Sequence, residues 1–330
     1  MSQQASEGCA VNSIALNLLT LSTQKMRRRL TVDVNQVSDN TIAASAYLWA
    51  ATCYLDHDDR HGVSDHGRSV LRLVNSRGGL DRLGMCGAIS RVLRWSDLLT
   101  SLLSHRACWF EADTRDDIPS GREYKQHGQA WMTMLSAGEC EVDREVVQLC
   151  ARVTTCVAMF EENITQGLTA AQYMAGRQRL GQTSAQISVV KARYVGSDSM
   201  EECICTAVNI CNIVICAGCE VPSESGILTR YCTHLSNIIK RTLASGLWQH
   251  DLDMLIWGMF TCTLVQRSPE QHGWCTQVIR RAMGYKYGPR SAWSRQWREQ
   301  LLTLLCNFTW SSTCLEVHME QQYQELWTDE

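Results

Sequence analysis

The densest group of residues suited to metal binding or acid–base chemistry lies between Leu55 and His66. Three histidines and four aspartates fall within this stretch, and His57 and His61 stand four residues apart. On the zinc-binding helix of metalloproteases, two histidines have this spacing, and a glutamate directly after the first one acts as the base. Here that glutamate is missing, and Gly62 follows His61 at once. We therefore expect a solvated loop and no metal or catalytic site.

Cysteine is the second candidate for chemistry, with 17 residues in a chain of 330. The densest group falls within residues 203–219, an apolar segment that contains no lysine or arginine. Its single Cys-x2-Cys pair, Cys216 and Cys219, stands alone, whereas a structural zinc site needs a second pair or two histidines. The count is odd, and the chain is far larger than secreted domains held by disulfides, so we expect mostly reduced thiols packed in a core. The sequence thus predicts no metal ion and no cofactor.

Charge and the start of the chain bear on partners and location. The formal net charge is -3, which argues against a protein that binds polyanions as a whole. The run Arg27 to Arg29 could act as a weak nuclear-import or phosphate patch, but we favour a basic helix end. Residues 1–9 are polar and expected to be disordered, and positive charge follows the first apolar stretch instead of preceding it as in a signal peptide. We expect a location in the nucleus, the cytoplasm or both, and no membrane association.

Signatures of common catalytic sites are missing from the sequence. Gly-x-Ser-x-Gly, the Walker phosphate loop and Gly-x-Gly-x-x-Gly do not occur. A serine–histidine–aspartate triad stays open, because its members can lie far apart in the chain. We therefore name no catalytic residue and expect that the chain is not an enzyme.

The elements that must position these residues are helices. Only four prolines occur, and the segments between them have helical and not alternating periodicity. The clearest amphipathic helix is predicted over residues 85 to about 108, after a Gly78-Gly79 turn that ends a helix over residues 68–76. Residues 203–219 and 252–265 are apolar on nearly every face and too short to cross a membrane, so we predict buried helices there.

The end of the chain continues this pattern. An amphipathic helix is predicted around residues 297–305 and a closing helix at about 314–327, whereas the charged run 111–123 is expected to be a surface loop. Residues 1–330 therefore predict an all-α fold, a single compact multi-helix domain with several fully buried helices.

An ordered set of short motifs carries a resemblance to a known family. A helix beginning with His66 runs into Arg77-Gly78-Gly79, then Leu83-Gly84, then a helix that ends in Trp95-x-Asp97. In the same order follow Trp257 within a buried Leu-x-Trp helix, the segment 280–285, the helix that contains Trp297, and the segment from Trp310 to Cys314 before the closing helix. Over roughly residues 10–330 the chain resembles the regulatory region of fungal zinc-cluster transcription factors.

The physical chemistry of these motif residues predicts structural roles. Two glycines let two helices meet at a sharp corner, because glycine reaches positive φ without penalty. We expect Trp95 to pack in a core and Asp97 to cap a helix or pair with an arginine.

The departure from the family narrows the function that the resemblance implies. Such factors begin with six clustered cysteines that hold two zinc ions and place a helix in the major groove. Only Cys9 and Cys53 lie in the first 80 residues here. The resemblance therefore implies an effector domain alone, with no direct binding to DNA.

The expected function is that of a transcription regulator-like protein that controls a biosynthetic gene set. It would bind a protein partner, either a DNA-binding factor or a second copy of itself, or a small metabolite whose binding residues the sequence does not identify. One alternative is a biosynthetic enzyme or ligand-binding protein that reuses the fold, because a fold does not dictate function. Another is a truncated gene model whose zinc cluster lies upstream of Met1.

Overall fold

All regular secondary structure in the described part of the chain is helical. The computed structural model describes residues 20–21, 24–25, 28, 37–55, 60–104, 106–110, 131, 133, 142–167, 169–216, 226–249, 251–264, 269–288 and 295–327. The all-α prediction is confirmed for these residues. The expected disorder at residues 1–9, the Arg27 to Arg29 run and the loop at 111–123 involve residues outside them.

Contacts divide the chain into two compact units. The first unit comprises Met1–Ser104 with Cys108–Phe110, and the second comprises His105–Ala107 with Glu111–Glu330. A single domain spanning residues 1–330 stays a prediction.

Among the described residues of the first unit, three longer helices all contact one another. They are α1 (Asp39–Leu55), α2 (Arg60–Ser76) and α3 (Ala88–Ser104), with short 3-10 turns at Leu80–Arg82 and Met85–Gly87 between the last two. Gly78 and Gly79 have φ values of 88° and 97°, and the Gly79 N–H donates to the carbonyl of Val74 at 3.0 Å. The glycine pair therefore ends α2 at Ser76, where the sequence predicted a helix end.

Two sequence expectations in this unit need correction. The expected loop is wrong from Arg60 onward, because α2 begins there and runs through His66. Its buried face is formed by Val63, Val70 and Val74, which carry the helical periodicity that the polar residues hide. Helix α3 begins at Ala88, three residues later than predicted, because the preceding residues form the 3-10 turn.

The second unit contains the other helices whose bounds the structure describes, and two of them form its centre. In chain order these are α4 (Arg144–Thr165), α5 (Ala170–Lys191), α6 (Met200–Cys216), α7 (Gly226–Ala244), α8 (Leu252–Thr263), α9 (Pro269–Tyr287), α10 (Arg295–Asn307) and α11 (Ser312–Trp327). Helix α6 contacts α4, α5, α7, α8 and α11, and helix α8 contacts α6, α7, α9, α10 and α11. Every residue of α6 except Glu201 is buried. This burial confirms the prediction of core helices. Each fully buried Ile or Val side chain contributes roughly 1.5–3 kcal/mol to the stability of the fold.

Capping side chains fix the entry into two helices that flank this centre. The Asp143 carboxylate accepts the Glu145 N–H at 2.7 Å at the start of α4. Thr169 and Gln172 form a capping box at the start of α5. Among the described residues, no helix combines the length and apolar character that crossing a membrane requires.

Candidate functional site

Four ionisable side chains from three helices of the second unit come together beneath the connection between α5 and α6. Lys191 is the last residue of α5, Glu202 lies in the first turn of α6, and Tyr231 and His234 lie one turn apart on α7. Lys191 is 3% exposed and Glu202 is 0% exposed, whereas the His234 side chain reaches the surface at 24%. We call Lys191, Glu202, Tyr231 and His234 the Lys191 cluster.

Few hydrogen bonds to the described residues join the members of this cluster to their surroundings. The Lys191 Nζ donates to Tyr231 Oη at 3.4 Å and lies 4.6 Å from the centroid of that ring, and it makes no other hydrogen bond to the described residues. Glu202 Oε2 accepts the Gly196 N–H at 3.0 Å. Glu202 Oε1 lies 3.3 Å from His234 Nε2, which is within ion-pair distance when the histidine is protonated. Lysine and glutamate are rarely buried this deeply, so the site is unusual.

Burial controls the protonation of the lysine. It lowers the pKa of Lys191 to about 8, because the ammonium loses its hydration, and the neighbouring Glu202 and Cys205 only partly oppose this effect. Burial also raises the pKa of Glu202, but contact with His234, the Gly196 N–H and the Lys191 charge together hold it below its usual value. The cluster therefore places a carboxylate near an amine that is neutral in roughly a tenth of molecules at pH 7.

A polar seam between α5 and α6 lies beside the cluster. Asn212 Nδ2 donates to the Leu180 carbonyl at 2.7 Å and to Ser184 Oγ at 2.6 Å, and Asn209 Nδ2 lies 3.5 Å from Ser188 Oγ. The side-chain oxygens of both asparagines are buried and accept no hydrogen bond from any described residue. Donor groups of a ligand or of water would satisfy these oxygens.

The motif residues of the first unit have structural partners. Asp39, at the start of α1, accepts a hydrogen bond from Arg77 Nη2 at 3.1 Å and one from the Gly84 N–H at 2.9 Å. The Gly84 N–H and the Arg77 guanidinium hold the pKa of Asp39 below its usual value. A Cβ on Gly84 would lie 2.7 Å from Asp39 Oδ2, so glycine lets the carboxylate approach the backbone. Arg77, Gly78, Gly79 and Gly84 thus build the corner after α2, and the neighbouring Leu83 is buried.

Asp97 is buried and joins α3 to the segment that follows it. Its Oδ2 accepts the Phe110 N–H at 2.8 Å, a long-range partner that the sequence did not predict. Trp95 and His66 are half-buried on their helices. These contacts join the described elements of the first unit.

The motif residues of the second unit belong to an aromatic core. Trp257 Nε1 donates to the Thr309 carbonyl at 3.1 Å, its ring stacks on Phe308 with centroids 5.4 Å apart, and the Trp131 ring meets it edge-on at 5.6 Å. Trp310 and Cys314 are buried. Trp297 lies on α10, and its side chain lies outside the described part. Trp257 thus contacts Thr309, Phe308 and Trp131, which do not belong to the Lys191 cluster.

The cysteines of α6 behave as core side chains. Burial raises the pKa of Cys203, Cys205, Cys211 and Cys216 to about 12, so their thiols stay protonated at neutral pH. Within the described residues, no three His, Cys, Asp or Glu side chains are grouped so as to hold a metal ion. His57 and Cys219 lie outside those residues.

Sequence reasoning missed the Lys191 cluster, although a weak signal was present. Ser184, Ser188 and Lys191 follow helical spacing along one face of α5, which is buried. Glu202 precedes a segment that is otherwise apolar. A charge at a helix start usually lies in solvent, where it favours the helix dipole, so the sequence did not distinguish it.

Fold and site together define an all-α protein with a buried lysine–carboxylate cluster. Comparisons with protein-family models, with curated proteins and with solved structures return no match. The site and the ordered motifs are therefore the features that bear on function.

Proposed function

We propose that the chain is a transcription regulator-like protein made only of an effector domain, which binds a small metabolite or a protein partner and does not read DNA. The observation that carries this proposal is the Lys191 cluster, in which a lysine and a carboxylate are both buried. Burying such charges is weak evidence for a role in stability, because their desolvation can exceed their mutual attraction. Ligand binding would explain why these charges are buried, because ionisable groups with shifted pKa values often lie in functional sites. The ordered motifs favour a regulator over other ligand-binding proteins.

The pairing of surface charges supports the absence of DNA reading. Arg193 lies 2.5 Å from the Glu145 carboxylate, Arg241 lies 2.6 Å from Asp198, and Lys286 also contacts an aspartate. Cations that already face carboxylates offer less net positive charge to phosphates. The partner we propose is accordingly a DNA-binding factor or a second copy of the chain, in the nucleus, the cytoplasm or both.

One observation favours a second candidate function, an enzyme or ligand-binding protein of a biosynthetic pathway. The Lys191 amine has a lowered pKa and lies beside the Tyr231 hydroxyl, and desolvated lysines of this kind act as nucleophiles. This candidate would act on metabolites directly and would not control transcripts.

Deletion of the gene tests the two functions against each other. The deletion strain is complemented with the wild type, with Lys191→Met, or with Lys240→Met, which removes an exposed lysine as a matched control. Transcripts and metabolites are then read from the same cultures. We expect transcripts of a defined gene set to fall on deletion and to return with the wild type and the control, but not with Lys191→Met.

Two results would contradict the proposal. Unchanged transcripts together with accumulation of a pathway intermediate would establish the second candidate. A gel shift showing sequence-specific DNA binding by the purified chain would refute the statement that it does not read DNA.

A further inference from the structure

We propose that Lys191 captures a small, uncharged aldehyde or ketone as a Schiff base within the Lys191 cluster. This inference names the class of ligand and rests on the proposed ligand-binding role of the same site. It stands on the position of the amine, the group beside it and the charge around it.

The amine is buried but only loosely held. Its one hydrogen bond to the described residues spans 3.4 Å, so little geometry must be broken to free the Nζ for reaction. The aromatic ring of Tyr231 provides an apolar wall 4.6 Å away. The desolvation that lowers the pKa of Lys191 supplies the neutral form that nucleophilic attack requires.

The groups of the cluster can supply and accept every proton that the condensation of amine and carbonyl requires. The neutral Nζ adds to the carbonyl carbon and forms a C–N bond, while the carbonyl oxygen takes a proton from the Tyr231 hydroxyl. A proton from the nitrogen returns to the tyrosine, which leaves a neutral carbinolamine. That intermediate loses its hydroxyl group as water to form the C=N bond, so one carbonyl compound and one amine give one imine and one water.

The surrounding charge selects the ligand. Protonation of the imine gives an iminium cation, which the buried Glu202 carboxylate stabilises, since electrostatic attraction is strong where water is excluded. The same carboxylate disfavours ligands that carry their own negative charge, such as keto acids. An uncharged carbonyl compound therefore fits this site best.

The cluster borders residues that are exposed to solvent. Lys191 ends its helix, and the following residues 192–197 are mostly exposed. His234, which touches Glu202, is 24% exposed.

The test uses acetaldehyde as the probe and cyanoborohydride to convert imines into stable N-ethyl lysines. The chain has only five lysines, at positions 25, 125, 191, 240 and 286, so peptide mass spectrometry resolves each one. In the folded wild-type protein at neutral pH we expect Lys191 to be ethylated at least about fivefold faster than the exposed Lys240 and Lys286, because burial increases the neutral fraction of Lys191. Its rate should rise with pH through a midpoint near 8.

If Lys191 had only a structural role, it would be ethylated more slowly than the exposed lysines, because burial would shield it from the reagents. Ethylation of Lys191 more slowly than of Lys240 in the folded protein would overturn the proposal. Tyr231→Phe should slow ethylation of Lys191 severalfold and leave the rate at Lys240 unchanged, with circular dichroism to confirm folding. An unchanged rate at Lys191 would refute proton transfer by the Tyr231 hydroxyl. Because the wild-type comparison needs no variant, misfolding cannot obscure the result.

The two proposals fail in different ways. Slow ethylation of Lys191, together with failure of Lys191→Met to restore transcripts, would refute binding of a carbonyl compound and support the regulatory role of the cluster. Fast ethylation together with full rescue by Lys191→Met would keep the carbonyl chemistry and refute the regulatory role of the cluster.

Discussion

Replacing Lys191 with methionine should change how the stability of the protein depends on pH. Methionine keeps a side chain of similar length and removes the charge. In the folded protein, burial lowers the pKa of Lys191 from 10.5 to about 8, and unfolding restores the higher value. Between these values the unfolded chain binds more protons than the folded one. The penalty for burying the ammonium is therefore fully present below about pH 8 and is relieved as pH rises toward the unfolded value.

The size of this effect follows from the difference between the two pKa values. The full penalty is about 3 kcal/mol, and about 2 kcal/mol of it is relieved between roughly pH 7 and pH 9.5. Over that interval the free energy of unfolding of the wild type should improve by this amount relative to Lys191→Met. Buried thiols whose pKa is raised destabilise the fold at high pH, but they are present in both proteins and cancel in the difference.

The assay is urea denaturation followed by circular dichroism at both pH values for the wild type, Lys191→Met and the control Lys240→Met. Lys240 is exposed, so its removal should change the difference from the wild type between the two pH values far less than removal of the buried Lys191 does. A wild-type minus Lys191→Met difference that does not change with pH would refute the reasoning. An equal change in the control would assign the effect to net charge and not to burial.

Three further predictions concern packing and reactivity. Gly67→Ala should destabilise the protein by about 1–3 kcal/mol in urea denaturation, because the new Cβ would lie 2.5 Å from the Trp109 ring. The control Gly181→Ala places a Cβ in open space on a helix and should be neutral or stabilising by up to about 1 kcal/mol. Equal losses of stability in the two variants would contradict this prediction. Trp257→Phe should cost about 1–3 kcal/mol in the same assay, since a buried carbonyl 3.1 Å away loses its donor, and unchanged stability would exclude that hydrogen bond. Iodoacetamide should alkylate the exposed Cys306 in the folded protein and the four thiols of α6 only after unfolding; peptide mapping that finds early α6 labelling would disprove their burial.

The glycine corner after α2 shows where local sequence sufficed. Gly78 and Gly79 end the helix because only glycine enters the left-handed region without strain, a property that does not depend on the rest of the fold. The helix start was missed, because the polar residues before His66 hide a valine face that is evident only once its packing is known. The structure also shows why Gly84 is glycine, since Asp39 approaches its backbone from 45 residues away.

The amino-acid sequence by itself determined the helical class and the buried character of α6 and α8. Apolar periodicity and apolar runs report directly on which faces leave water, and they do so within one segment. Only the tertiary structure decided the Lys191 cluster, because its members come from α5, α6 and α7 and up to 43 positions separate them. A lysine, a glutamate, a tyrosine and a histidine are each ordinary on a helix surface. Burial against one another changes their protonation and hydrogen bonding, and burial depends on how three helices pack.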